Sequence, residues 1–260
     1  AISPTVQALS RGYRLDTACV LTLRFDDGTL CIDQADLPLI GDHVVWDSRI
    51  NQHRAKAMAY PAIIRALHGK VDYDDQAKAY AELQLIEDAP LAMRPYQRES
   101  LARWLEHKKR GVIVLPTGAG KTYVAVQAIL AAQRSAIVLA PTIDLVQQWA
   151  ADLESRLHIP IGQYGGGEKN LQDITVATYD SGILIMPHYG NRFGLLICDE
   201  CHHLPSAMTS VVAESCIAPF RLGLSATPER TDGQHQRLEE LLGPIVHRSQ
   251  INELEGNYLA

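Results

Sequence analysis

Leu115-Pro116-Thr117-Gly118-Ala119-Gly120-Lys121-Thr122 joins a continuous apolar run, Gly111–Leu115, to a helical pattern over Lys121–Arg134. A buried strand that enters a glycine-containing loop and passes directly into a helix is an arrangement for holding phosphate. Gly118 and Gly120 let the backbone curl so that successive N–H groups face inward as an anion nest, and the helix start adds the positive end of its dipole. Pro116, Thr117 and Ala119 complete the cradle. Lys121 can reach the β- and γ-phosphates of a nucleotide, and Thr122 can present its hydroxyl to Mg2+. The general pattern for such loops has glycine where this chain has Leu115.

Outward from the loop, the alternation of strand and helix continues. Pro95–Leu105 and Ile143–Leu157 have helical spacing, while Ala136–Ala140, Ile174–Thr178, Leu195–Cys198 and Leu222–Leu224 are short apolar strands. Strands that are apolar at successive positions are covered on both faces. The expected fold class is therefore α/β, a mostly parallel sheet flanked by helices and preceded by a small α/β domain. A phosphate loop of this kind also needs a carboxylate at the end of a neighbouring strand. Leu195-Leu196-Ile197-Cys198-Asp199-Glu200 supplies it, with Asp199 placed to hold Mg2+ and Glu200 to polarise an attacking water. In-line phosphoryl transfer asks the protein mainly for positioning and charge stabilisation. The CxxC at Cys198–Cys201, followed by His202 and His203, invites a metal reading. Cys19, Cys31 and Cys216 supply no second ligand pair at regular spacing, so Cys198 reads as a small core residue.

Residues 1–88 have a different character. They carry nine Lys and Arg against thirteen Asp and Glu, where the remainder carries fifteen against seventeen. Thr22–Ile32 reads as a hairpin turning at Asp27-Gly28, and Val44–Trp46 as a strand. Pro61–His68 reads as a helix stopped by Gly69, and Gln76–Ile86 as a second helical stretch. The expected division is a small domain over 1–88 and a larger one over 89–260. At 260 residues, 47% hydrophobic and 21% charged, the chain has enough apolar material for full cores, which excludes disorder and coiled coil. No apolar run approaches the ~20 residues of a membrane span. Ala1-Ile2-Ser3-Pro4 lacks the marks of a secretion signal, and five cysteines do not suggest a disulfide framework. A cytoplasmic setting is expected. The net charge of −6 lacks the basic footprint of a nucleic-acid binder.

In their order along the chain, these residues resemble the motifs of superfamily II helicases. Pro116–Thr122 resembles motif I, and Asp199-Glu200-Cys201-His202 resembles the DExH box. Ser225-Ala226-Thr227 is similar to motif III; with His202, Ser225 and Thr227 would couple ATP hydrolysis to movement on nucleic acid. Arg94-Pro95-Tyr96-Gln97 resembles the Q-type motif, which implies adenine recognition by Gln97. Ala140-Pro141-Thr142, followed by Leu145 and Gln148-Trp149, resembles motif Ia, and Thr178-Tyr179-Asp180-Ser181 a later strand-contacting motif. The resemblance implies a RecA-like P-loop domain, ATP and Mg2+ as cofactors, and DNA held by its backbone at Pro141, Thr142 and Thr178. Such contacts position a protein without reading bases, and they tolerate an acidic chain because they use N–H and hydroxyl groups. Read from the residues alone, Thr142 is also a good cap for the helix that follows. Gly165-Gly166-Gly167 with Lys169 reads either as a backbone-contacting loop or as a plain turn, and Lys108-Lys109-Arg110 as a solvated helix end.

A narrower resemblance is to the XPB type (xeroderma pigmentosum group B) of DNA repair helicase, particularly its archaeal and bacterial members. Gly190–Phe193, His202–Pro205 and Ala218–Arg230 carry it. In that family a small N-terminal domain linked to damaged DNA precedes the first RecA-like domain, and residues 1–88 occupy its position. An Arg-Glu-Asp motif that helps to open duplexes follows motif III in the family; Arg230-Thr231-Asp232 stand here, without the acidic middle residue. Motifs IV to VI belong to a second RecA-like domain and are not found before Ala260. The resemblance thus implies the N-terminal half of an ATP-dependent DNA helicase or translocase, nearly inactive as an ATPase by itself. It also implies a repair nuclease or other repair protein as partner, no membrane, and a place near the nucleoid. Two other readings fit the residues: a non-catalytic DNA-binding or partner-docking module, and the motor of a restriction-type or phage-like recombination helicase.

Overall fold

The computed structural model describes residues 20–88, 90–226 and 235–249. Its first sheet begins with the expected hairpin. β1 (Leu21–Asp26) and β2 (Thr29–Asp33) pair antiparallel through Leu23↔Ile32 and Phe25↔Leu30. Asp27 (φ +45°) and Gly28 (φ +75°) form a two-residue turn that requires both positive angles. Helix α1 (Leu37–Ile40), strands β3 (Val45–Asp47) and β4 (Gln52–Lys56), helix α2 (Tyr60–Leu67) and strand β5 (Tyr73–Asp75) follow, giving five strands in the order β3-β4-β2-β1-β5. α2 carries Pro61 in its first turn, and Gly69 (φ +71°) lies just beyond its end. It lays Ile63 and Leu67 against Leu23, Leu30 and Ile32.

The helix expected over Gln76–Ile86 is absent; the segment is extended. Its backbone groups bond to distant partners instead. Ala79 N–H donates to Asn191 O (3.1 Å) and Leu83 N–H to Gln133 O (2.8 Å). Ala81 exchanges bonds with Ser135, and Leu85 with the Gln133 side chain. Ala, Gln, Leu and Glu are good helix formers, but intrinsic propensity amounts to tenths of a kcal/mol per residue, and bonds to a preformed neighbour outweigh it. The segment straps the small sheet to the large one.

The large sheet is built from α3 (Pro95–Glu106), β6 (Arg110–Val114), α4 (Lys121–Ala132), β7 (Ala136–Ala140), α5 (Ile143–Leu157), β8 (Ile161–Gly165), β9 (Glu168–Asn170), β10 (Ile174–Thr178), α6 (Tyr179–Tyr189), β11 (Leu195–Cys198), α7 (Ser210–Glu214), β12 (Phe220–Ser225), α8 (His235–Leu242) and β13 (Ile245–Arg248). Its eight strands run β13-β6-β12-β11-β7-β10-β8-β9, all parallel except the β8–β9 hairpin. Successive residues face opposite sides. Ala136, Val138 and Ala140 pack under Val124, Trp149 and Leu153, while Ile137 and Leu139 pack under Ile185, Met186 and Phe193. Both faces are covered, which is why the strands read as unbroken apolar runs.

The glycine run makes the turn of a hairpin: Gly166 (φ +62°) and Gly167 (φ +96°) connect β8 to the exposed edge strand β9. Lys108-Lys109-Arg110 is more than a solvated helix end. Lys109 Nζ donates to Ala131 O (2.8 Å) and Arg110 to Glu240 O (2.7 Å), so both are tied down. No helix among the described residues is long and apolar enough to cross a membrane.

Candidate nucleotide and nucleic-acid site

The parallel strands deliver the motif residues to one edge of the sheet. Along the neighbouring strands β6, β12, β11, β7 and β10, that edge carries in turn the phosphate loop, Ser225, Asp199 with Glu200, Pro141 with Thr142, and Thr178. The crevice outside the carboxyl ends of parallel strands is where such sheets bind ligands.

Ala119 N–H donates to Pro116 O (3.2 Å) within the loop, and Leu115 N–H donates to Ser225 O (3.0 Å) at its root. Gly118 and Gly120 both have φ +80°, a conformation that disfavours any other residue. A Cβ on Gly118 would meet no protein atom within 4 Å, whereas one on Gly120 would stand 2.4 Å from Gln97 Nε2. Thr117 and Gly118 are exposed, Pro116 and Thr122 partly buried, and Lys121 opens α4.

The Arg94–Gln97 segment braces this loop from behind. Tyr96 OH and Gln97 Nε2 both donate to Ala119 O at 2.9 Å. Gln97 Oε1 accepts from Arg94 N–H (2.9 Å), and the Arg94 guanidinium donates to Tyr96 OH (3.1 Å). Both ends of the Gln97 amide are thus engaged with the protein, and the residue is 6% exposed.

Lys121 Nζ lies 3.4 Å from Glu200 Oε1, and His202 Nδ1 lies 3.5 Å from Glu200 Oε2. Glu200 adopts φ +46°, a strained angle for a residue with a side chain, directly after β11. Asp199 is 8% exposed. Its Oδ1 accepts from Glu200 N–H (3.0 Å) and its Oδ2 from Trp149 Nε1–H (2.9 Å). Burial raises the Asp199 pKa above the ordinary carboxylate value, against the pull of the Trp149 hydrogen bond. Among the described residues no ion pair reaches it. A buried carboxylate with spare lone pairs, at the sheet edge that also carries Thr122, fits a hard divalent ion such as Mg2+.

Thr142 caps α5, accepting from Leu145 N–H at 3.3 Å, and is exposed. Thr178 caps α6 but is buried, its hydroxyl donating to Ser181 Oγ (2.9 Å) and accepting from Ser181 N–H (3.1 Å). Thr227 and Arg230-Thr231-Asp232 lie outside the described residues. Burial pushes the Cys198 thiol up to about 12 and Cys201 higher than its ordinary value, so both are inert core groups. Trp149 and Tyr179, which stand in the sequence only as members of their motifs, both bond to Asp199, Tyr179 OH donating to its backbone O at 2.8 Å. The available signal was that a buried indole or phenol needs an acceptor for its polar tip.

Residues 90–230 match the family model described as "Type III restriction enzyme, res subunit", and residues 23–77 match the "Xeroderma pigmentosum group B helicase damage recognition domain". The chain is 41% identical over 216 residues to the DNA 3'-5' translocase XPB2 of Sulfurisphaera tokodaii, covering 83% of this chain and 49% of that protein. It is 32% identical over 241 residues to the DNA 3'-5' helicase XPB of Kineococcus radiotolerans, covering 86% of this chain and 42% of that one. The chain therefore spans less than half the length of these relatives. The crystal structure of the UvsW helicase from bacteriophage T4 superposes with a TM-score of 0.50 at 18% identity, over 88% of this chain and 99% of that chain; at such identity the likeness is one of fold. With residues 90–230, more than half of the chain, inside the first model, the chain belongs to the family described as the type III restriction enzyme res subunit, and over most of its length it is similar to XPB-type helicases.

Proposed function

We propose that this chain binds ATP with Mg2+ and serves as the first motor lobe of a DNA 3'-5' helicase or translocase acting in repair or duplex opening. The observation that carries the reading is the meeting of Lys121 and Glu200 at 3.4 Å, which places the phosphate loop against the DExH carboxylates. The loop N–H groups and Lys121 would hold the β- and γ-phosphates. Thr122 and Asp199 would hold the Mg2+, which when bound neutralises developing phosphate charge. Glu200 would orient and deprotonate the attacking water, and His202 would steady Glu200. Arg94 and Gln97 fix the loop that receives the phosphates, and adenine recognition by Gln97 would require its amide to leave Ala119 O.

Pro141, Thr142 and Thr178 would meet the DNA backbone, the exposed Thr142 directly and Thr178 through the helix start that it caps. Ser225 and Thr227 would relay movement between lobes, and Arg230-Thr231-Asp232 would stand where the family opens duplexes. Residues 1–88 would form the domain that recognises distorted DNA, and 89–260 the RecA-like lobe. The match over 23–77 favours the XPB type over a restriction motor. A repair nuclease or other repair protein would be the partner, in the nucleoid-associated cytoplasm. The test is phosphate release with and without DNA, by the chain alone and by the chain joined to a second RecA-like lobe. DNA-stimulated turnover is expected only in the joined protein; none in either contradicts the proposal.

A further inference from the structure

Asp199 is fastened to both helices whose starts face the proposed DNA path. Its N–H donates to Leu139 O (2.8 Å) on β7, the strand that leads into α5. From the second turn of α5, Trp149 donates its indole N–H to Asp199 Oδ2 at 2.9 Å. From the first residue of α6, Tyr179 donates its hydroxyl to Asp199 O at 2.8 Å. Both side chains are buried, at 2% and 5% exposure, so neither bond competes with water. The same helices start at Thr142, the cap of α5 two turns before Trp149, and at Thr178, the cap of α6 next to Tyr179.

A shift of either helix start by a fraction of an ångström must move Trp149 or Tyr179 against Asp199, because close-packed interiors transmit displacement. The reverse holds as well. A cation drawn to Asp199 competes for the electron density that the indole N–H shares. We propose that Trp149 and Tyr179 are positioning residues that set the Asp199 carboxylate and link its occupancy to nucleic-acid backbone binding at Thr142 and Thr178. The link rests on the nucleotide and DNA reading above. Linkage makes it reciprocal: DNA must change nucleotide affinity by the same factor that nucleotide changes DNA affinity.

The test is a four-cornered binding cycle on the whole chain, using a fluorescent non-hydrolysable ATP analogue with Mg2+ and a labelled single-stranded DNA. Each affinity is measured with and without the other ligand, for the wild type, Trp149→Phe and Tyr179→Phe. The wild type is expected to show coupling of about 5-fold or more, falling below about 2-fold in Trp149→Phe and by a smaller factor in Tyr179→Phe. A purely structural loss would weaken both corners alike and leave the coupling factor unchanged. Undiminished coupling in both folded variants, or no coupling in a wild type that binds both ligands, overturns the proposal. A wild type that binds no DNA overturns the DNA reading and the linkage with it, and one that binds no nucleotide overturns the nucleotide reading and the linkage. Should Trp149→Phe fail to fold, Tyr179→Phe, which loses a single hydroxyl, decides.

Discussion

Nζ of Lys121 stands 3.4 Å from Oε1 of Glu200, so in this structure the cation of the phosphate loop is held by the residue expected to activate water. A γ-phosphate entering the loop would compete for the same ammonium and release Glu200 toward the water. Removing the charge of Glu200 removes the competitor and the base together. Glu200→Gln is expected to bind ATP at least as tightly as wild type, while turnover in a protein carrying both lobes falls by about 10²-fold or more. Nucleotide titration and single-turnover phosphate release measure the two effects separately.

Asp199 is costly to bury. Burial raises its pKa above the ordinary 3.8, so its contribution to stability is complete below that value and is lost as pH rises through the folded-state value. Asp199→Asn retains an acceptor for Trp149 or Glu200 and carries no charge. Its Tm should exceed that of the wild type at neutral pH by a few degrees, with the gap closing toward pH 4. Mg2+-dependent nucleotide binding should be lost in the same variant. Thermal melts across pH, without nucleotide, check the sign.

Gln97 touches the loop through Ala119 O and its own helix through Arg94 N. If bracing the loop is its main service, Gln97→Ala weakens ATP, GTP and pyrophosphate alike, by about 10-fold for roughly 1–2 kcal/mol of lost hydrogen bonding. A loss confined to ATP would assign the amide to the base instead.

Arg221 is fully buried and, among the described residues, meets no carboxylate. It donates to the carbonyls of Ala213 (3.0 Å), Cys216 (2.6 Å), Ala218 (3.1 Å) and Leu241 (2.9 Å), closing β12, α7 and α8 around one guanidinium. Arg221→Met leaves those acceptors without donors, and a loss of ~3 kcal/mol is expected in urea unfolding. Arg221→Lys, with three donors on a shorter reach, should lose less.

Much of this arrangement was legible in the sequence wherever one short signal decided the structure. Ile143–Leu157, Ile174–Thr178 and Leu195–Cys198 fall at the expected bounds, because their apolar runs are terminated sharply by Thr142, Tyr179 and Asp199. The phosphate loop and the acidic pair were legible for the same reason: their chemistry is local to a strand end. α6 was hidden by Gly182 and Pro187 within it; Pro187 falls in its last turn and costs the helix one i to i−4 hydrogen bond. The strap over 76–86 was misread since its partners, Gln133, Ser135 and Asn191, are remote in sequence. The bonds of Trp149 and Tyr179 to Asp199 were not legible, although both residues stand in recognisable motifs, because those bonds exist only once α5 and α6 are packed on the sheet.

The central claim is that the loop from Pro116 to Thr122 holds a nucleoside triphosphate with Mg2+. Equilibrium titration of ATP into the wild-type chain and Lys121→Ala, each in Mg2+ and in EDTA, tests it most directly. The account predicts saturable binding by the wild type that strengthens with Mg2+, and a loss of about 10-fold or more in Lys121→Ala, in keeping with a charge-assisted contact. Equal affinities for the two proteins, or wild-type binding indifferent to Mg2+, would contradict it.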